Sequence, residues 1–390
     1  MKKTCLAAAA LCAFAGTASA QSSVTLYGVI DQGLSYTKDV VDANHPSKGN
    51  NHLEIKSGNV PFSRFGFRGT EDLGAGLSAV FVLEGNVALN AKQHFGDNLF
   101  GRQAFVGIAS RDGGTLTLGR QFDAANTYVA PFGMASGWAG ALGSHYGNID
   151  TLYNQAGRKN TVKYASANYQ GFSLGGTVSL GGKAGAITDG LSYSVGAGYA
   201  NGPLRFGAAF VKNSFTDADF DLRIQGLETS LASAHVNQAA SHLYTENAGL
   251  AKKAQIIALG GNYAFGPAKV GFVFTNTKLS NALLNLDDEK KNDQMKANNI
   301  EANLQYHATP ALLLGIGYNY TTAKIANLNA KIHQVTFGGQ YDFSKRTAFY
   351  LTASAQRVKS GGPLRAQMHG NVMSSGDKQL GVRAGIRHSF

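Results

Sequence analysis

Serine–histidine neighbours such as Ser144-His145 are the residues of this chain with the clearest capacity for bond-making chemistry. A hydrolase built on them would need a serine held against a positioned base. The one Gly-x-Ser-x-Gly match, "GFSLG" at 171–175, runs from a tight turn into an alternating strand and does not open a helix as a nucleophile turn would, and the histidines fall mostly in polar stretches without i,i+4 partners. His235 and His242 lie seven residues apart, which matches no zinc spacing. The two cysteines, Cys5 and Cys12, both lie among the first twenty residues, so the remaining chain offers no thiolate to a metal or a substrate. Neither catalysis nor a metal or other cofactor is expected.

The charged side chains carry a different signal. The chain ends "QLGVRAGIRHSF", where Leu380, Val382, Ala384 and Ile386 alternate with Gly381, Arg383, Gly385 and Arg387. Alternation of period two makes a strand with one apolar and one polar face. In a soluble sandwich the apolar face would turn inward. In a membrane barrel it would meet lipid, and the arginines would face an aqueous lumen. By the same alternation Arg68, near the start of the chain, would also face inward.

The N-terminus reads as an export signal. Lys2 and Lys3 precede an apolar run, 6–14, and Ala18-Ser19-Ala20 is a small-residue cleavage site. Residues 1–20 are therefore expected to be a removable signal peptide and residues 21–390 the working domain. A lipid-bearing Cys12 is the competing reading, and the bulky Leu11 before it argues against that. Of 35 basic residues the signal holds two, leaving 33 against 24 acidic ones. For an exported protein this excess points to anionic solutes or lipids and not to nucleic acid.

Beyond the signal no run of about 20 apolar residues offers a membrane helix, and the mean hydropathy of −0.13 suits a soluble protein or a barrel equally. The turns decide between them. Tight-turn sequences recur at "TEDLGAG", "SRDGGT", "NYQGF", "YANGP", "YAFGP", "YHATP" and "YDFSK". Between them lie longer polar stretches at 38–57, 91–98, 121–158, 183–190, 214–252, 280–296, 324–330 and 360–377. Seven hairpins, a first strand "SVTLYGVID" and the final strand make sixteen. Short connections at one end and long ones at the other are the build of an outer-membrane barrel. Aromatic residues beside the tight turns, Tyr169, Phe172, Tyr199, Tyr263, Phe265, Tyr306, Tyr341 and Phe343, read as an interfacial girdle. Closure also leaves no free sheet edge, which suits a large exported chain without disulfides.

Several of these stretches, "SSVTLYGVIDQGL", "SRFGFRGTEDLGAGL", "GRQAFVGIAS", "LTLGRQ" and the terminal "RHSF", resemble the Gram-negative general-diffusion porins over essentially the whole chain after the signal. The resemblance implies an all-β, 16-stranded antiparallel barrel in the outer membrane, assembled as a homotrimer, with a third loop folded into the lumen. It implies passive diffusion of small hydrophilic solutes and inorganic anions. The partners it implies are the lipid bilayer, lipopolysaccharide and the barrel-assembly machinery, for which Phe390 is the terminal aromatic signal.

Carried over by motif, the wall arginines of the constriction are Arg64 in "SRFGF", Arg102 in "GRQAF" and Arg158 in "GRKNT", with Arg120 in "LGRQ" also matching a family position. The third loop, 121–157, has only Asp123 and Asp150 to oppose them, where strongly cation-selective members carry more acids. A surplus of arginines is expected to bias the pore modestly toward anions. Two rival readings remain. A substrate-specific channel could use Tyr128, Phe132, Trp138 and Tyr146 as an aromatic track, although their irregular spacing fits pinning of the loop to the wall better. A surface adhesin would act through the long loops, above all 214–252.

Overall fold

The computed structural model describes residues 23–42, 48–60, 62–87, 89, 99–153, 157–214, 251–282, 294–325, 328–361 and 364–390. The expected signal peptide lies outside them, as do the 91–98 stretch and almost all of 214–252.

Strands fill most of the described chain. In order they are β1 (Ser23–Val41), β2 (Gly49–Ser57), β3 (Arg64–Gly74), β4 (Leu77–Asn86), β5 (Gln103–Ser110) and β6 (Gly114–Gln121). Then come β7 (Arg158–Ala165), β8 (Phe172–Ser179), β9 (Ser192–Asn201), β10 (Leu204–Ser214), β11 (Ala251–Phe265) and β12 (Ala268–Ala282). The last are β13 (Gln294–Thr309), β14 (Leu312–Ile325), β15 (Leu328–Asp342), β16 (Thr347–Ser360) and β17 (Lys378–Ser389). Except for β2 and β3, which both pair with β1, each strand pairs antiparallel with its sequence neighbour, and β17 pairs back onto β1 from Val29↔Ser389 to Lys38↔Leu380, which closes the sheet.

The seventeen segments make sixteen barrel strands. β2 and β3 both pair with the same side of β1, β2 with its far half and β3 with Ser23–Val29. They are one strand interrupted at residues 58–63, where Gly58 takes a positive φ of 68°. This corrects the expectation of a loop over 38–57. β1 runs on to Val41, and "HLEIKS" forms paired strand, with Leu53 and Ile55 exposed on its outer face. All seven predicted tight turns join hairpins.

Alternation sorts the faces as a membrane barrel requires. Outward positions carry exposed apolar side chains, such as Leu116 and Leu118 on β6 or Ile300 and Leu304 on β13. Inward positions carry buried polar ones, such as Thr275, Asn299, Glu301, Asn319, Gln334 and Thr336. At the closure, Gly28 and Phe390 exchange both backbone hydrogen bonds at 3.0 Å, and the Phe390 ring covers Gly28 so closely that a Cβ there would overlap it. The terminal aromatic is thus fixed to the first strand by backbone and ring together.

Candidate pore constriction

Strand register brings the first two wall arginines together. Arg64 opens β3 and Glu84 lies near the end of β4, with Gly66 and Glu84 directly opposite each other. Arg102 precedes β5, and its backbone N–H donates to the Glu84 carbonyl at 3.1 Å. Glu84 is 5 % exposed and holds both cations, Arg102 Nε at 2.8 Å and Arg64 Nε at 3.4 Å, while the Tyr27 hydroxyl donates to it at 3.1 Å. Sequence reasoning missed Glu84. Its only sequence signal is a lone acid closing the apolar strand "AVFVLEG" at an inward position.

Across from this cluster lies the third loop. Arg64, Arg102 and Phe62 border an opening of about 300 Å³ whose remaining lining comes from the third loop, Asn126, Ala130, Pro131, Ala135, Ser136, Leu152 and Tyr153. None of these lining residues is a carboxylate. Arg68 faces inward as well, its guanidinium 5.3 Å from the centre of the Tyr27 ring.

Arg120 and Arg158 are not brought to this opening. A register shift between Gly119 and Gln121 ends β6, and Arg120 stands with Leu118, Lys159, Val162 and Leu180 along an outer groove, donating to the Gly157 carbonyl at 2.8 Å. Arg158 donates to Ser192 Oγ at 2.9 Å and to the Ser214 carbonyl at 3.2 Å. Arg383 and Arg387 face inward, as their alternation predicts, but hold the 56–60 stretch. Arg383 donates to the Lys56 carbonyl and approaches Asp31 at 3.6 Å, and Arg387 donates to the Val60 carbonyl.

The loop acids also have other work. Asp123 caps the short helix Ala124–Tyr128, accepting from Asn126 N–H at 3.1 Å, as an N-cap aspartate does. Asp150 is fully buried. It pairs with His145 Nδ1 at 2.5 Å and accepts from Thr275 Oγ1 at 2.8 Å. The other nitrogen of His145 lies 3.2 Å from Glu301 on β13, and Glu301 also accepts from the Met134 backbone N–H at 2.7 Å. Burial by itself lowers the His145 pKa, but the two carboxylates outweigh it and push the imidazole up to about 10. The same imidazolium holds the Asp150 carboxyl below the usual carboxylate range despite its burial. His145 is thus a charged latch between loop and wall.

Aromatic side chains complete the attachment. Tyr128 lies over Gly196 and Gly198, Phe132 over Gly260, and Trp138 over Gly315 and Gly338, each glycine leaving room that a Cβ would fill. Tyr146 donates to the Arg365 carbonyl at 3.2 Å. Wall amides grip the loop backbone from the other side. Asn319 donates to the Gly143 carbonyl at 3.1 Å and Gln334 to the Leu142 carbonyl at 2.9 Å. These aromatics pin the loop and do not line a track.

The sequence profile described as Gram-negative porin matches residues 7–361. An outer membrane porin protein of Bordetella pertussis is 30% identical over the full length of both chains. Among solved structures, the anion-selective porin from Comamonas acidovorans superimposes with a TM-score of 0.70 at 23% identity, covering 95% of this chain and all of that one. The trimer form of OmpT from Vibrio cholerae superimposes with a TM-score of 0.64 at 15% identity, covering 95% of this chain and 99% of that one. A closed barrel with lipid-facing apolar and lumen-facing polar strand positions, matched to this profile over most of its length, belongs to the Gram-negative porin family of the outer membrane.

Proposed function

We propose that this porin is a general diffusion pore with a modest preference for anions, selected where Arg64 and Arg102 face the third loop. The observation that carries the reading is charge imbalance: two guanidiniums share one carboxylate, and the opposite lining supplies none. Solutes pass down their gradients, sieved by the loop and biased by a net positive field. The Comamonas relative in fold is itself an anion-selective porin. No bond is made or broken in this mechanism. The third loop narrows the lumen, the chain works as a homotrimer as OmpT does in its trimer form, residues 1–20 are removed on export, and Phe390 guides assembly.

Planar-bilayer recording under a potassium chloride gradient tests this. Discrete conductance steps with a reversal potential favouring chloride are expected, weakened in Arg64→Ala and Arg102→Ala. Arg120→Ala should leave selectivity unchanged, because its side chain lies on the outer groove. A cation-favouring potential in the unmodified protein would refute the preference and keep the pore. Absence of conductance from folded protein would refute the pore.

A further inference from the structure

The opening beside Arg64 and Arg102 carries an apolar surface that a preference for inorganic anions does not use. Phe62 borders it from the wall, and Ala130, Pro131 and Ala135 border it from the third loop. Charge alone sets the sign of selectivity for an inorganic ion. The interruption at 58–63 is what brings Phe62 there. Asp31 on β1, wholly buried, accepts from the Val60 N–H at 2.9 Å, and the Asn59 carbonyl accepts from the Tyr153 hydroxyl. The interruption is therefore held by wall and loop at once. The Phe62 ring lies against Tyr153, with centroids 5.4 Å apart and 45° between the planes, and a Cβ at Gly58 would press on it from behind. The ring remains half-buried, so part of it is open to the lumen. An aromatic fixed before a solute arrives has little freedom left to lose on contact.

Arg64, two residues further along the chain, supplies a matching charge. Its Nε meets Glu84 at 3.4 Å, and its two Nη groups have no partner among the described residues. A guanidinium fork left open in this way can take both oxygens of a carboxylate. Arg102 is held more closely, by Glu84 at 2.8 Å, with its guanidinium 5.3 Å from the centre of the Phe122 ring. It adds field, while Arg64 adds the fork. A solute with one carboxylate on a flat apolar ring uses both features, the carboxylate on Arg64 and the ring on Phe62. Pro131, exposed on the third loop, borders the same space with a second apolar ring. A volume of about 300 Å³ is at the small end of ligand pockets, which suits a single ring. One net positive charge matches one carboxylate.

We propose that the constriction is a weak binding site for aromatic monocarboxylates of the benzoate class, with Arg64 holding the carboxylate and Phe62 the ring. The site rests on the anion preference proposed for the same opening and adds a solute class to it.

The test is planar-bilayer recording in potassium chloride at fixed ionic strength, with benzoate, acetate or neutral benzamide added. Benzoate should reduce the chloride current saturably at millimolar concentration. Acetate should bind about tenfold more weakly, and benzamide should show no saturable effect. The ratio of benzoate to acetate affinity, read within each variant, cancels any general change in the pore. It should fall about tenfold in Phe62→Ala and about fivefold in Phe62→Leu, which loses the ring but keeps apolar bulk. Phe62→Tyr should restore it, and Arg64→Gln should weaken both carboxylates. Folding of each variant is checked by electrophoretic mobility without heating, and Phe62→Leu carries the test if Phe62→Ala does not fold. Equal block by benzamide, a ratio unchanged in a folded variant without the ring, or a chloride-favouring pore that takes benzoate no better than acetate would each overturn the site and leave the anion preference standing. A potassium-favouring pore would instead overturn the preference on which the site rests.

Discussion

Glu84→Gln is the most informative single change in the constriction, because it removes a charge while nearly preserving shape. Arg64, Arg102 and Glu84 together present one net positive charge to the opening. For an ion passing about 8 Å away, at an effective dielectric near 20, one unit charge contributes about 2 kcal/mol, which screening at physiological salt reduces to about 0.8 kcal/mol. Neutralising Glu84 doubles the net charge. Chloride should then be favoured by a further factor of about four and potassium disfavoured equally, so the permeability ratio should rise about fifteenfold. At 1 M salt the Debye length falls to about 3 Å and the gain should shrink to less than about twofold.

Reversal potentials under shallow potassium chloride gradients, taken near physiological ionic strength and again near 1 M, read both numbers. Removing one partner of a buried ion pair costs about 3–5 kcal/mol, so folding is checked first by electrophoretic mobility without heating. The double variant Glu84→Gln, Arg102→Gln restores one net charge and should return the ratio to that of the unmodified protein. A ratio unchanged in folded Glu84→Gln, or one that rises equally at both salt concentrations, would refute the electrostatic account of the opening.

Other consequences follow from the latch and the closure. His145 has its pKa raised to about 10, so its stabilising contribution is complete below its ordinary value near 6.5 and is lost as the pH rises through about 10. Asp150 has its pKa lowered, so its share is present above the ordinary carboxylate value near 3.9 and is lost as the pH falls further. Trp138 is the chain's one tryptophan and is 4 % exposed against Gly315 and Gly338, so its emission should be blue-shifted and should move to the red above pH 10, a step that His145→Gln abolishes. Gly315→Val should displace the same ring, red-shifting the emission at neutral pH and increasing open-channel current noise, because a Cβ there already meets the indole at 2.5 Å. Phe390→Ala removes the ring that covers Gly28 and should lower the yield of folded protein in membranes, while protein that does fold should conduct normally.

The barrel was legible because its signals are local. A tight turn is written in two or three adjacent residues, and strand faces in alternate ones, so all seven hairpins and the inward direction of Arg68, Arg383 and Arg387 could be read directly. The 38–57 region misled for a local reason too: the charged and polar residues of "KDVVDANHPSKGNNH" obscure the alternation of Leu53 and Ile55, which belong to a strand interrupted at 58–63 and not to a loop. Loop attachment was legible in kind, since irregularly spaced aromatics are poor at forming a track. Which wall glycines receive them was not.

Charge balance in the constriction could not be counted from composition, because the count depends on which acid reaches which cation. Asp150 looks like a carboxylate available to oppose the wall, yet its partners are His145 in the same loop and Thr275 and Asn299, well over a hundred residues away. Asp123 is consumed by the helix it caps. Glu84, outside the loop altogether, is the acid that offsets the arginines. The loop therefore contributes its acids to its own anchoring and presents neutral residues to the opening, and one architecture serves two ends. A porin that needed a carboxylate at this opening would have to add one at Asn126, Ala135 or Ser136, where no partner competes for it. Ser136→Asp should accordingly cancel the net charge and bring the permeability ratio toward unity, whereas an acid added at the latch should change loop stability and leave selectivity alone.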